Sequence, residues 1–321
     1  MLVFFVNFTS QSYILKTYPY TFSIVIPVYN SARTLVKLHQ EIEAALANER
    51  MQLIFIDDNS LDNSWEILKS LKEKSKNDLV LVSLASNFGQ HAALFCGLQY
   101  AEGEYIATLD DDLQHHPTEI KKLITGLKDE KADLVYGIYQ QKKHGYVRNT
   151  GSKLFAAIVN KFASTPLQGS SFKLIHAELI KKVLLHQHYN FYLDEVLAWY
   201  SKKTTFVLVK HAKRALGSSG YSPMSLIKMS TRILLNYTAL PLKFITSLGF
   251  ISALISFGFG IYYIYEKFYN EAQSGFTAII VSVFFSTGLI LFSLGIIGEY
   301  ISRIFLIQTG KPPFKIKEVQ R

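Results

Sequence analysis

For two thirds of the chain, apolar residues fall in short unbroken runs; after that they fall in two long ones. Phe22–Tyr29 reads FSIVIPVY, a β-branched run suited to a buried strand, with Pro27 near its end. Leu53–Ile56, Leu79–Leu84, Tyr105–Leu109 and Asp133–Gly137 repeat the pattern. Helical spacing fills the gaps. One helix is expected from a cap at Asn30–Ser31 to about Ala47, others over Trp65–Lys74, through Ala92, Ala93 and Gly97, and over Pro117–Lys128. Strands alternating with helices predict an α/β fold with a doubly wound, mostly parallel sheet. Further on, helices are expected over 150–162, over 177–185 and around Asp194–Glu195, with a late strand at Thr205–Lys210. Gln140–Arg148 and His211–Tyr221 are basic and polar, and read as loops.

From Pro223 the pattern changes. Residues 223–241 mix Leu226, Ile227, Ile233 and Leu234 with Lys228 and Arg232, as an amphipathic helix at a membrane interface would. Leu242–Ile264 carries only Lys243, and Phe276–Ile297 carries no charge. Each exceeds the ~20 residues that cross a hydrocarbon core, although a buried core helix passes the same test. Lys228, Arg232 and Lys243 precede the pair, and Arg303, Lys311, Lys315 and Lys317 follow it. An excess of positive charge on both outer flanks places them in the cytoplasm. The expected organisation is an extension at 1–20, an α/β domain at 21–222 and the interfacial helix at 223–241. A transmembrane hairpin at 242–300 (spans of about 242–264 and 276–298) and a basic cytoplasmic tail at 301–321 complete it.

Composition narrows the partners. The 321 residues hold 34 Lys and Arg against 25 acids, a net charge of +9. No basic low-complexity tail or nucleic-acid motif accompanies that charge, which argues against nucleic acid. A membrane surface accounts for basic charge and positive mean hydropathy together. The single cysteine, Cys96, excludes an internal disulfide and a cysteine metal site, and suits a reducing cytosol.

Two of the expected strands end in acids: Asp57, Asp58 and then Asp62 after one, Asp110, Asp111 and Asp112 after the other. In an open α/β sheet, ligands bind outside the carboxyl ends of the strands. In an extended segment alternate residues point the same way, so Asp110 and Asp112 are expected to face one ion while Asp111 points elsewhere. Adjacent carboxylates repel unless a cation sits between them. A divalent ion, Mg²⁺ or Mn²⁺, carrying nucleotide phosphates would fill that place. The same residues also suit an acidic turn leading into a helix, with Asp58 and Asp62 as caps. His115, His116, His144 and His211 read as surface residues.

Taken together, Phe22–Asn30, Asp57–Asp62, Asn87–Gly97, Asp110–Gln114 and the run Arg214-x-x-Gly217-x-Ser219-x-Tyr221 resemble the inverting family-2 glycosyltransferases of GT-A fold. The resemblance is closest to the polyprenyl-phosphate group, which includes dolichol-phosphate mannose synthase and the bactoprenol glucosyltransferases, and it runs from about residue 22 to 315, hairpin included. It implies a nucleoside-diphosphate sugar donor, uridine being the commoner nucleotide, and a polyprenyl (undecaprenyl) phosphate acceptor. It also implies a divalent metal, a place in the inner membrane serving cell-envelope glycans, and a homo-oligomer. Residue by residue, it implies Asp110, Asp112 and Gln114 at the metal, and Pro27, Tyr29, Asp58 and Asp111 around the nucleotide. Arg148, Ser152, Arg214 and Ser219 would meet the acceptor phosphate, the two arginines sharing the catalytic work with the acids.

Two positions depart from the pattern. Ser31 stands where a glutamate often follows the asparagine, and Ser171-Phe172-Lys173 replaces an Asp-Phe-Arg run whose aspartate has been treated as a base. Asp194 or Glu195 are candidates to replace it. A processive polysaccharide synthase would carry Gln-x-x-Arg-Trp; Trp199 lies instead in LAWYSKK. Transfer to a sugar hydroxyl, or an inactive nucleotide-sugar-binding scaffold, remain the alternatives.

Overall fold

The computed structural model describes residues 17–138, 170–185, 193–210, 240–269, 275–310 and 312–321. Eight strands form one mixed sheet: β1 (Tyr20–Val28), β2 (Met51–Asp57), β3 (Asp78–Leu84), β4 (Gly103–Thr108), β5 (Leu134–Ile138), β6 (Lys173–His176), β7 (Thr204–Leu208) and β8 (Ile316–Gln320). Their order is β7-β5-β6-β4-β1-β2-β3-β8. β3, β2, β1 and β4 are parallel, as are β5 and β7. β6 runs antiparallel between β4 and β5, and β8 antiparallel along β3.

Each central strand alternates between two cores because successive side chains leave opposite faces. Phe22, Ile24, Ile26 and Val28 face one apolar cluster together with α1 (Leu35–Ala45), α2 (Ser64–Lys74) and α4 (Ile120–Asp129). Val25, Ile54 and Ile56 face the other with α3 (Gln90–Leu98), α5 (Ala177–Val183) and α6 (Leu193–Tyr200). Burial on both faces explains the unbroken apolar runs. Gly97 lets α3 lie close on β1 and β2, since a Cβ there would collide with Val25 Cγ1 and meet Ile56 Cγ1 at 3.1 Å.

Strand order reverses between β1 and β4. β2 and β3 are laid down on one side of β1, β4 on the other. Such a switch point opens a crevice at the carboxyl ends of the strands.

Several expectations are corrected here. The first helix begins at Leu35, not at Asn30–Ser31. Asn30 takes a left-handed φ of 54° and Ser31 turns its hydroxyl to Asp111. β6 went unread, because four residues in a Ser- and Gly-bearing stretch are too few to show a period. The stretch at 301–321 is not merely a tail. Helix α8 (Phe276–Gln308) continues past the expected span, and β8 then joins the sheet. His115 is buried and stacks on Phe172 at 5.1 Å, whereas His116 is exposed.

Helices α7 (Leu240–Tyr269) and α8 follow the α/β domain in sequence. Large apolar side chains such as Phe250, Phe257, Phe285 and Phe292 are exposed along both. Phe285–Ser302 passes for a bilayer span by length and composition; the apolar stretch of α7, Phe244–Phe259, is shorter. Residues 223–239, holding most of the expected interfacial helix, lie outside the described residues.

Candidate active site

β4 ends at Thr108, so Asp110, Asp111 and Asp112 sit in the turn beyond it rather than in extended chain. The expected alternation therefore fails, and all three acids line one cleft of about 520 Å³ at the switch point. Leu113 takes a left-handed φ of 61°, a costly conformation for a branched side chain. That reversal brings the Gln114 N–H to 3.1 Å from Asp112 Oδ1, and Gln114 itself lines the cleft.

Each acid is held differently. Asp110 Oδ1 accepts from Gln90 Nε2 at 2.7 Å and its Oδ2 from Ser171 Oγ at 2.5 Å. Asp111 Oδ2 accepts the Tyr29 N–H at 3.2 Å and the Ser31 hydroxyl, which pins the end of β1 against the acids. Desolvation, and then the charges of Asp112 and Asp111, push Asp110 up to about 6 against the pull of Ser171 and Lys173. Desolvation likewise raises Asp111.

A divalent cation fits this donor set. Three clustered carboxylates with a strained acid among them are what a cation relieves. Among the described residues no group of three or more His, Cys, Asp or Glu is arranged to hold a metal ion by itself. That suits an ion held by one or two carboxylates and completed by substrate phosphates.

Pro27, half-exposed Tyr29 and buried Asp58 border the same cleft. Asp58 is already engaged: its Oδ1 accepts the Phe88 N–H at 2.7 Å and its Oδ2 the Gly89 N–H at 2.8 Å. Gly89, with φ of 89°, turns the chain into α3. Asp58 thus fixes the turn that delivers Gln90 to Asp110. Asp62 also serves local structure, accepting from Ala32 N and from Ser64. Arg148, Ser152, Arg214 and Ser219, expected at the acceptor, lie outside the described residues.

Sequence reasoning did not find Gln90, His91 and Lys173, which also line the cleft, and left Asp194 as a minor candidate. Lys173, from β6, pairs with Asp194, from the first turn of α6, and Tyr136 Oη donates to the same Asp194 Oδ1 at 3.0 Å. Lys173 Nζ also lies 5.4 Å from the centre of the Tyr136 ring. Desolvation would raise Asp194, but the charges of Lys173 and His91 and the bonds from Lys173 and Tyr136 hold it below the usual carboxylate range. Desolvation pushes His91 down to about 4, with Asp194 pulling the other way and Lys173 adding to the drop. The residues come from β5, β6, α3 and α6, so no local motif could have announced them. Glu195 is buried but does not line the cleft.

The family described as Glycosyl transferase family 2 matches residues 23–199, and the GtrB C-terminal hairpin matches residues 240–304. An undecaprenyl-phosphate 4-deoxy-4-formamido-L-arabinose transferase of Pseudomonas savastanoi pv. phaseolicola is 31% identical over 96% of this chain and 93% of its own. The transferase of that name from Edwardsiella ictaluri is 30% identical over 93% and 94%. Among solved structures, the mannosyltransferase PcManGT of Pyrobaculum calidifontis, in complex with GDP-Man and Mn²⁺, is 17% identical with a TM-score of 0.47, over 76% of this chain and 81% of that one. Similarity that distant assigns no ligand.

Proposed function

The chain belongs to glycosyl transferase family 2, and from that membership we propose that it moves a sugar from a nucleoside-diphosphate sugar to an undecaprenyl-type polyprenyl phosphate, with inversion, at the cytoplasmic face of the inner membrane. The observation that carries this reading is the run Asp110–Asp112 lining a cleft at the β1/β4 switch point, in a chain that also carries two long, outwardly apolar helices. The relatives' shared acceptor supports the lipid half of it.

Asp110 and Asp112 would hold a divalent cation, Mg²⁺ or Mn²⁺, with Gln114 beside them. When bound, the cation neutralises the diphosphate and eases its departure. Gln90 and Ser171 orient Asp110, and Asp111 fixes the wall that ends in Tyr29. Pro27, Tyr29 and Asp58 border the nucleoside, uridine rather than guanosine. Arg148, Ser152, Arg214 and Ser219 receive the acceptor phosphate.

A phosphate monoester has a second pKa of about 6 and is largely dianionic at neutral pH. Its oxygen forms the new bond to the anomeric carbon as the bond to the diphosphate oxygen breaks. No proton has to be removed, so Ser171 in place of an acid does not stop the reaction. The protein's contribution is positioning and charge neutralisation.

The outer end of α8 lies on the side of the α/β domain, because β8 returns to the sheet after it. That arrangement supports a two-span anchor with the α/β domain and both termini in the cytoplasm, and assembly as a homo-oligomer is consistent with it. The test is mass spectrometry of the lipid product after membranes holding the protein are incubated with polyprenyl phosphate and a panel of nucleoside-diphosphate sugars. A polyprenyl-phosphate sugar formed only with divalent metal is expected. Transfer to a saccharide hydroxyl, or no transfer, would overturn the reading.

A further inference from the structure

We propose that the buried Lys173–Asp194 pair, braced by Tyr136, is the wall of the donor cleft that recognises the sugar and sets which sugar is transferred. The proposal rests on the donor reading above and concerns residues that reading leaves idle.

Lys173 is 1% exposed and Asp194 5%, yet both border the cleft. Taking two charges out of water is expensive, and apolar side chains of similar volume often serve a core equally well. A pair kept charged at the edge of a binding cleft calls for a use there.

Lys173 opens β6 with its Cα in register with Thr108, two residues before Asp110. Ser171, two residues before Lys173, donates to Asp110 itself. His91 follows Gln90, which donates to the other oxygen of Asp110. Lys173 is therefore built into one of the two segments that clasp the carboxylate at the diphosphate end and His91 into the other, with Asp194 reaching Lys173 from α6. A sugar on that diphosphate lies against the same segments.

Asp194 Oδ1 takes both the Lys173 ammonium and the Tyr136 hydroxyl. Among the described residues its Oδ2 accepts no hydrogen bond, which leaves one rigidly held acceptor for the hydroxyl or amide N–H groups of a sugar. Lys173 has three protons, one of them spent on Asp194. The wall thus offers an acceptor and a donor side by side, and a site that hydrogen-bonds a substrate group strongly rejects an analogue lacking it. A general base is a poor fit, because Asp194 is tied up in the ion pair.

The experiment first finds the donor that the wild type uses, then measures binding of that donor and of its bare nucleoside diphosphate. The variants are Lys173→Met/Asp194→Asn, which removes both charges at once, and Tyr136→Phe, which removes one brace and is expected to fold. The double variant should keep nucleoside-diphosphate affinity within about twofold while losing ~10-fold or more for the intact donor, with a changed ranking across the sugar panel. Tyr136→Phe should shift donor affinity in the same direction by a smaller factor. Equal loss of nucleoside diphosphate and donor, or unchanged donor affinity and ranking, would overturn the proposal; should the double variant not fold, Tyr136→Phe decides by the same criteria. A wild type that transfers no sugar from any donor overturns the proposed function, and this inference with it.

Discussion

Among the described residues Asp110 accepts only from neutral donors, Gln90 and Ser171, and it has two further carboxylates beside it. The acids are therefore a standing cost to the fold that a bound cation would offset. Asp112→Ala is expected to lower transfer by ~100-fold or more, by analogy with the loss of other charge-stabilising groups. Its melting temperature should equal or exceed that of the wild type, because one like charge is gone. Turnover assays beside a thermal melt check this; near-normal transfer would remove Asp112 from the metal site. His91 gives a pH prediction. Its folded value of about 4 lies below the ordinary 6.5, so the unfolded chain takes up the proton first. Its stabilising effect is complete above 6.5 and is lost as pH falls toward 4. Asp110, held up to about 6, pulls the opposite way in part of that window, since protonation relieves it. Comparing wild type with His91→Gln removes the Asp110 contribution. The wild type should lose up to ~1.4 kcal/mol more than the variant per pH unit below 6.5, read by denaturant melts.

At the scale of elements, α3 is the piece most tightly fitted to the site. It lies against β1 and β2 through Gly97 and carries Gln90 and His91 at its start. Gly97→Ala should cost ~1–3 kcal/mol as the helix is pushed off the sheet. Donor binding should weaken with it, because Gln90 moves relative to Asp110; a melt and a donor titration on one sample test both. The strands of the α/β core were legible because burial on two faces writes an unbroken apolar run. β8 was not: IKEVQ alternates weakly and carries two charges, as a strand covering a sheet edge can. Its partner is β3, more than 230 residues earlier, and no local pattern records such a pairing.

For the molecule as a whole, β8 ties the far end of α8 back to the sheet, with Ala85 N–H to Lys315 C=O at 2.8 Å and Phe314 edge-on to Phe95 of α3 at 6.4 Å. A small epitope added after Arg321 should therefore be cut by protease in inside-out membrane vesicles and spared in intact spheroplasts. Cleavage in the spheroplasts would refute the hairpin topology. Anchoring of this kind brings the cleft to a lipid acceptor without requiring the lipid to leave the bilayer.

The sequence by itself determined the α/β alternation, the long apolar helices, and the acids at the carboxyl end of a strand. Each is a local pattern set by the geometry of one element: burial on two faces, the length of an apolar run, or charge where a strand stops. Tertiary structure alone decided that Asp111 braces β1, that Asp58 spends its oxygens on the Gly89 turn, and that Lys173, Asp194, Tyr136 and His91 converge behind the acids. Those contacts join residues 21 to 82 positions apart, on elements brought together only by the order of the strands. The spacing of residues along the chain carries no trace of which hydrogen-bonding groups will meet once the sheet has closed.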